Sequence, residues 1–305
     1  MTAEPERQKF VWRVRYARKY LRRRLDHIVV EAPAAHPLEN ALWICSWQRS
    51  GSTWLAEMLA HQRGTRLVYE PANVPDGLVS GDASADIPLP REGDPATFAV
   101  VRALRGVERG DWVDQMAGTH FARRRVVKDV RAMALAPSIR TKCPETPVVI
   151  LTRHPIAVAR SKVDLGWTSG ASRSDDFATE VQQWCEIHAA ALRDTRLANV
   201  HFVTYEALRE NPQARVAAIR DYALGFSSTW RGLSTDTLDP TRPSATNFRS
   251  TTVGAADGWG DLDDALIHRA VEIMRDYGFD GLYDDQPGAR SELDSFVHHF
   301  RASVH

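Results

Sequence analysis

Leu42-Trp43-Ile44-Cys45-Ser46-Trp47-Gln48-Arg49-Ser50-Gly51-Ser52-Thr53-Trp54-Leu55 decides the fold. A short apolar run suited to a buried strand leads into a turn of small residues, and the turn opens an amphipathic helix. Such a turn aims successive backbone N–H groups, two or three hydroxyls and one cation at a single point. That point is an anion site at a helix N-terminus. The Lys-Ser/Thr ending of a Walker A loop is missing, so the usual triphosphate cradle is excluded.

Working outward, Val148-Val149-Ile150-Leu151-Thr152-Arg153-His154-Pro155 repeats the pattern: an apolar strand, a polar stop and a helix begun near Pro155. The remaining periodicity predicts strands over 41–47, 66–69, 125–128 and 200–204. It predicts helices over 53–62, 97–108, 131–141, 155–163, 175–197, 212–223, 262–277 and 291–302. Residues 72–95 and 164–174 read as long loops, which in a compact domain are usually functional. Strands alternating with helices predict one α/β domain, with a central parallel sheet covered on both faces. Ligands then sit at the carboxyl ends of the strands. Arg49, Glu70, Asp129 and Arg153 all follow strand ends and can converge on one rim.

The motifs themselves resemble those of sulfotransferases that use 3′-phosphoadenosine 5′-phosphosulfate (PAPS). Arg49-Ser50-Gly51-Ser52-Thr53-Trp54 resembles that family's P-loop-like 5′-phosphosulfate loop. Arg49 brings it nearer the carbohydrate and tyrosyl-protein members, Trp54 is like the cytosolic ones, and Gln48 departs from the common Pro. Arg153 and, eight residues later, Ser161 are similar to the pair that holds the 3′-phosphate. Tyr205 within Val203-Thr204-Tyr205-Glu206-Ala207-Leu208 resembles the tyrosine beside the adenine. Arg249, followed by Ser250-Thr251 where the family has Lys-Gly, resembles a late return to the 3′-phosphate. The four matches run from Leu42 to Trp259. By this resemblance the cofactor contacts would be Arg49, Ser50, Gly51, Ser52, Thr53, Trp54, Arg153, Ser161, Tyr205 and Arg249. PAPS would be the donor and PAP the product.

Sulfuryl transfer is an in-line displacement in which the protein positions groups and stabilises charge, much as in phosphoryl transfer. The sulfuryl group carries less negative charge than a phosphoryl group, and no carboxylate cluster has metal spacing, so no metal is expected. Arg49, the backbone of Ser50 to Thr53 and the helix dipole suit the leaving phosphate. The acceptor hydroxyl needs a base. Val130 stands where cytosolic members carry a histidine. Val68-Tyr69-Glu70-Pro71 is similar to the glutamate context of carbohydrate and tyrosyl-protein members. Glu70 is therefore the first candidate base, Asp129 the second and His120 the third. Lys128 would neutralise the sulfuryl oxygens or pair with Asp129. The expected activity is transfer to a hydroxyl of a carbohydrate or hydroxylated small molecule. An atypical P-loop kinase, disfavoured by the missing Walker lysine, and a non-catalytic nucleotide-binding module are the alternatives.

Composition sets the outer limits. The chain has 305 residues, 43% of them hydrophobic, enough for one large core. Its 39 basic and 39 acidic residues balance, which argues against a nucleic-acid binder. Within residues 1–25, however, nine Lys/Arg stand against two acids, with Phe10, Val14, Ala17, Leu21 and Leu25 at helical spacing. We divide the chain into a basic helical arm, 1–36, and a catalytic domain, 37–305. The narrow apolar stripe favours an arm laid on the domain, with a peripheral membrane or partner contact through residues 9–25 as the other reading. The first residues lack the apolar core of a signal peptide, and three scattered cysteines suit reduced thiols. A cytoplasmic protein is expected on both counts.

Overall fold

The computed structural model describes residues 37–61, 64–73, 95–117, 122–168, 172–223, 235–239, 259, 262–290 and 293–303. The basic arm 1–36 with its 9–25 stripe, His120, Arg249, most of loop 72–95 and residues 169–171 of loop 164–174 lie outside them.

The strands are β1 (Ala41–Ser46), β2 (Thr65–Tyr69), β3 (Arg124–Asp129), β4 (Val148–Thr152) and β5 (His201–Thr204). Among the described residues they form one sheet in the order β2-β3-β1-β4-β5, every pair parallel. All residues of β1, β2 and β4 are buried, as expected of parallel strands covered on both faces. Alternation along β1 sends Trp43 and Cys45 into one core and Leu42 and Ile44 into the other.

Helix α1 (Ser52–Ala60) packs Leu55, Met58 and Leu59 into the Leu42 core. The opposite core takes Val100 and Leu104 of α2 (Pro95–Leu104). The four-residue α3 (Asp111–Asp114) follows. Ile139 of α4 (Ala136–Lys142) joins the same core, and α5 (Pro155–Asp164) leads to α6 (Arg173–Arg193), whose Phe177, Val181 and Trp184 all point inward. After β5 come α7 (Tyr205–Glu210), α8 (Pro212–Tyr222), α9 (Thr235–Leu238), α10 (Asp264–Asp276) and α11 (Leu293–Ala302). Each fully buried Leu, Val or Phe contributes about 1.5–3 kcal/mol, and these stripes supply them on both faces.

Several expected helix ranges shift by one or two residues, and three change for a clear local reason. Helix 97–108 ends at Leu104 because Gly106 takes φ 79°, with its N–H on Ala103 O and the Val107 N–H on Arg102 O. That is a Schellman close. Helix 131–141 begins instead as a 3₁₀ turn, Met133–Leu135, since the Asp129 carboxylate captures the Arg131 and Ala132 N–H groups. Helix 175–197 starts two residues earlier, capped by Ser172, and stops at Asp194. Helix α7 was not expected. Thr204 Oγ1 caps it by accepting from Ala207 N, and Asn211 caps α8 directly after it.

No helix among the described residues is long and apolar enough to cross a membrane. Cys45, Cys143 and Cys185 are buried and unpaired.

Candidate active site

The sheet order makes β1 and β4 the strands from which successive connections leave in opposite directions. A crevice opens at such a switch point, beyond the carboxyl ends of the strands. The loop after β1 and the turn after β4 therefore flank one place. The atoms bear this out: Arg49 Nε donates to Ser161 Oγ at 2.9 Å, and Arg153 Nη1 donates to Arg49 O at 3.0 Å.

The β1–α1 loop has a special backbone. Arg49 takes φ 64° and Gly51 φ 83°, both left-handed. A non-glycine residue held there is uncommon, and such strain gathers at functional sites. Gly51 is also the N-cap of α1 and offers the helix no side-chain acceptor. The first-turn amides, which lack intrahelical partners, are left for an outside acceptor. Ser50 Oγ is fully buried with no hydrogen-bond partner among the described residues. An orphaned buried hydroxyl, an uncapped helix N-terminus and a glycine without Cβ together fit an anion. Burial first, then neighbouring Arg153, lowers the Arg49 pKa from its ordinary value.

Tyr205, first residue of α7, closes the cradle from the far side. Arg153 lies over its ring at 4.6 Å, and Trp54 meets it edge-on at 6.2 Å between centroids. Trp54 is half-buried, and its Nε1 donates to Thr237 O at 3.2 Å. Arg49 also stands 5.5 Å from the Trp167 ring. The structure thus brings Arg49, Ser50, Gly51, Trp54, Arg153, Ser161 and Tyr205 together, with Ser52 and Thr53 opening α1 beside them.

Behind Arg153, His154 is buried between Trp259 and Tyr283, each 4.6 Å away. Burial lowers its pKa to about 3. Glu206, half-buried, accepts from His154 N at 2.9 Å and from Tyr283 Oη at 3.3 Å. Sequence reasoning passed over His154, Glu206 and Tyr283. Only the Tyr-Glu pair at 205–206 hinted at one of them.

Glu70 ends β2 with φ 40°. Consecutive strand residues face opposite sides, but the left-handed turn swings the Glu70 carboxylate back to the side of Tyr69 and of Lys128, which pairs with Tyr69 in register. Lys128 Nζ makes an ion pair with Glu70 Oε1 and lies 4.6 Å from the Tyr69 ring. The expected Lys128–Asp129 pairing therefore gives way to Lys128–Glu70. Asp129 faces away, fully buried, accepting from Ala72 N on Oδ2 at 2.8 Å and from Arg131 and Ala132 N on Oδ1. Burial raises its pKa to about 6. Among the described residues no cluster of three or more His, Cys, Asp or Glu could hold a metal ion.

Residues 42–225 match the family model described as "Sulfotransferase family". A comparison with curated proteins gave no match. Solved structures similar to this one include the sulfotransferase domain of the Synechococcus PCC 7002 olefin synthase, at 19% identity and TM-score 0.47, covering 83% of this chain and 98% of that one. A mouse sulfotransferase complexed with PAP aligns at 12% identity and TM-score 0.44, covering 90% and 94%. A sulfotransferase from Alicyclobacillus acidocaldarius aligns at 12% and 0.41, covering 67% and 88%.

Proposed function

Because this chain belongs to the sulfotransferase family, we propose that it moves a sulfuryl group from PAPS to a hydroxyl of a carbohydrate or hydroxylated small molecule. The observation that carries the reading is the Arg49–Ser161 hydrogen bond. It joins the two phosphate motifs across the switch point and sets both cations, Arg49 and Arg153, beside one uncapped helix N-terminus.

Arg49, the Ser50 hydroxyl and the opening amides of α1 would hold the 5′-phosphosulfate. Arg153 and Ser161 would hold the 3′-phosphate, with Arg249 joining them. Trp54 and Tyr205 offer ring faces for a base, a contact worth about 1–3 kcal/mol. The donor supplies an activated sulfur–oxygen bond. Charge that builds on the departing phosphate falls where preorganised donors already point, and that is where electrostatic stabilisation counts most.

Glu70 takes the acceptor proton in this reading. It sits at the end of β2 with Lys128 against its carboxylate, so a cation stands next to the base and can turn to the sulfuryl oxygens. Asp129 suits the base role less well, since backbone N–H groups engage both of its oxygens. Its fit is to the β3–α4 turn. Three buried, unpaired thiols agree with a reducing, cytoplasmic setting.

The test is release of PAP from PAPS against a panel of sugars, phenols and lipid alcohols, with PAP and ATP compared by calorimetry. Stoichiometric sulfation of one panel member supports the reading. Tight binding of ATP with phosphorylation in place of sulfation would overturn it.

A further inference from the structure

Glu70 is held from more sides than a strand-end carboxylate needs. Lys128 Nζ pairs with Oε1, and Glu70 N donates to Lys128 O at 2.7 Å. Trp112, on the short helix α3, donates from Nε1 to Glu70 O at 3.1 Å. The same indole meets the Tyr69 ring edge-on, 5.7 Å between centroids. Tyr69 is itself buried, and its ring lies 4.6 Å from Lys128 Nζ, the cation paired with Glu70. Burial and the adjacent Glu70 carboxylate both raise the Tyr69 pKa, so the phenol keeps its proton and is able to donate. A left-handed φ of 40° on a non-glycine residue persists only where the surroundings over-determine it. Here the surroundings are Trp112 on the carbonyl and Lys128 on the carboxylate, with the Tyr69 ring against both of those side chains.

We propose that Tyr69 and Trp112 are positioning residues for the base: Trp112 locks the turned backbone of Glu70, and Tyr69 aims its carboxylate at the incoming hydroxyl. The inference rests on the reading of Glu70 as the base. With the Tyr69 hydroxyl added to Lys128, two donors would leave the carboxylate few orientations. A base held within hydrogen-bond reach of its proton loses less in reaching the transition state. Trp112 lies 42 residues beyond Glu70 and meets Tyr69 at this one turn, whereas a merely structural pair could pack anywhere on the β2 edge.

The experiment uses PAP release from PAPS with water as the acceptor, a rate readable whichever hydroxyl compound the enzyme prefers. Tyr69→Phe keeps the ring against Trp112 and Lys128 and deletes only the hydroxyl. Its turnover falls about tenfold, the size of one hydrogen bond to a charged group. The acid limb of its rate–pH profile moves to higher pH, because the carboxylate loses a donor that favours the charged form. The PAPS KM and calorimetric PAP affinity stay parental, which also certifies folding. Trp112→Phe loses turnover likewise but keeps the parental acid limb, because its donor serves the Glu70 carbonyl and not the carboxylate. In a Glu70→Gln background, Tyr69→Phe costs nothing further. A parental rate and profile in Tyr69→Phe, an equal fractional loss in the Glu70→Gln background, or lost PAP affinity would each overturn the inference and leave the base reading standing. Parental turnover in Glu70→Gln alone removes the base reading, and this inference with it.

Discussion

The ring of Tyr205 fills the space that a side chain on residue 51 would need. A Cβ built on Gly51 would meet Tyr205 Cδ2 at 2.5 Å and Cε2 at 2.7 Å. The 5′ loop and the tyrosine motif, distant in sequence, are thus fitted to each other through a missing methyl group. Gly64 supplies a control, with φ 74° and nothing within 4 Å of its Cβ position. Both glycines sit in the left-handed region, where an L-residue costs about 1–2 kcal/mol. Only Gly51→Ala must also displace a ring. Gly51→Ala is expected to melt lower than Gly64→Ala and to lose PAP affinity, which Gly64→Ala keeps. Equal losses in melting temperature and affinity would refute the fit as a site feature.

Arg49→Ala removes the cation proposed to face the leaving phosphate and the 2.9 Å bond to Ser161. Turnover should fall on the order of a hundredfold or more, by comparison with deleting one oxyanion donor. Steady-state PAP release measures it. A loss of under about threefold takes Arg49 out of the mechanism.

Arg153→Ala and Ser161→Ala should weaken PAP far more than adenosine 5′-phosphosulfate, which lacks the 3′-phosphate. A charge-assisted contact is local to the group it touches. Arg153 also donates to Arg49 O, so some weakening of both ligands is expected. Calorimetry with the two ligands reads the ratio. An unchanged ratio would mean that the pair works through the loop backbone alone.

Much of this was legible in the sequence, because parallel strands buried on both faces write unbroken apolar runs. Ala41–Ser46 and Val148–Thr152 could hardly be anything else once small residues and Pro155 followed them. The strand-end positions of Arg49 and Arg153 followed from those runs. Side-chain direction was not legible where the backbone turns left-handed. Glu70 at φ 40° breaks the strand alternation, so Lys128 finds Glu70 rather than its neighbour Asp129. Helix α7 was missed because six residues between Thr204 and Asn211 are too few to show a period, although both caps are written in the sequence. The stacking of His154 between Trp259 and Tyr283 joins segments that no local pattern relates.

His188 offers a prediction about pH. It stacks on Trp184 at 3.8 Å and donates from Nδ1 to Trp184 O at 2.7 Å, with Nε2 buried and without a partner among the described residues. Burial lowers its pKa from 6.5 to about 3. The folded value lies below the unfolded one, so its stability term is whole above pH 6.5 and is lost as pH falls toward 3. At pH 5 the unfolded chain has gained a proton that the native state refuses, a loss of about 2 kcal/mol. His188→Phe keeps the stack and cannot titrate. Denaturant melts at pH 7 and pH 5 should show its pH-dependent loss smaller than the parent's by about that amount. Identical pH dependence in the two proteins would mean that His188 is protonated in the fold.

Glu70→Gln separates the two candidate bases. The amide keeps size and hydrogen bonding but cannot take the acceptor proton. Turnover should fall by roughly 10²–10⁴ while PAP affinity stays parental, since the proposed cofactor contacts do not involve Glu70. Asp129→Asn should act differently. Three backbone N–H groups converge on the two Asp129 oxygens, and an amide places an NH₂ against at least one of them. That change costs stability, on the order of 1–3 kcal/mol for one mismatched buried donor. At a temperature where the variant is folded, turnover should stay closer to the parent's than in Glu70→Gln. Stability is thus the readout for Asp129 and rate the readout for Glu70. If Asp129→Asn melts like the parent yet loses turnover, while Glu70→Gln turns over normally, the proton goes to Asp129 and the Glu70 assignment fails.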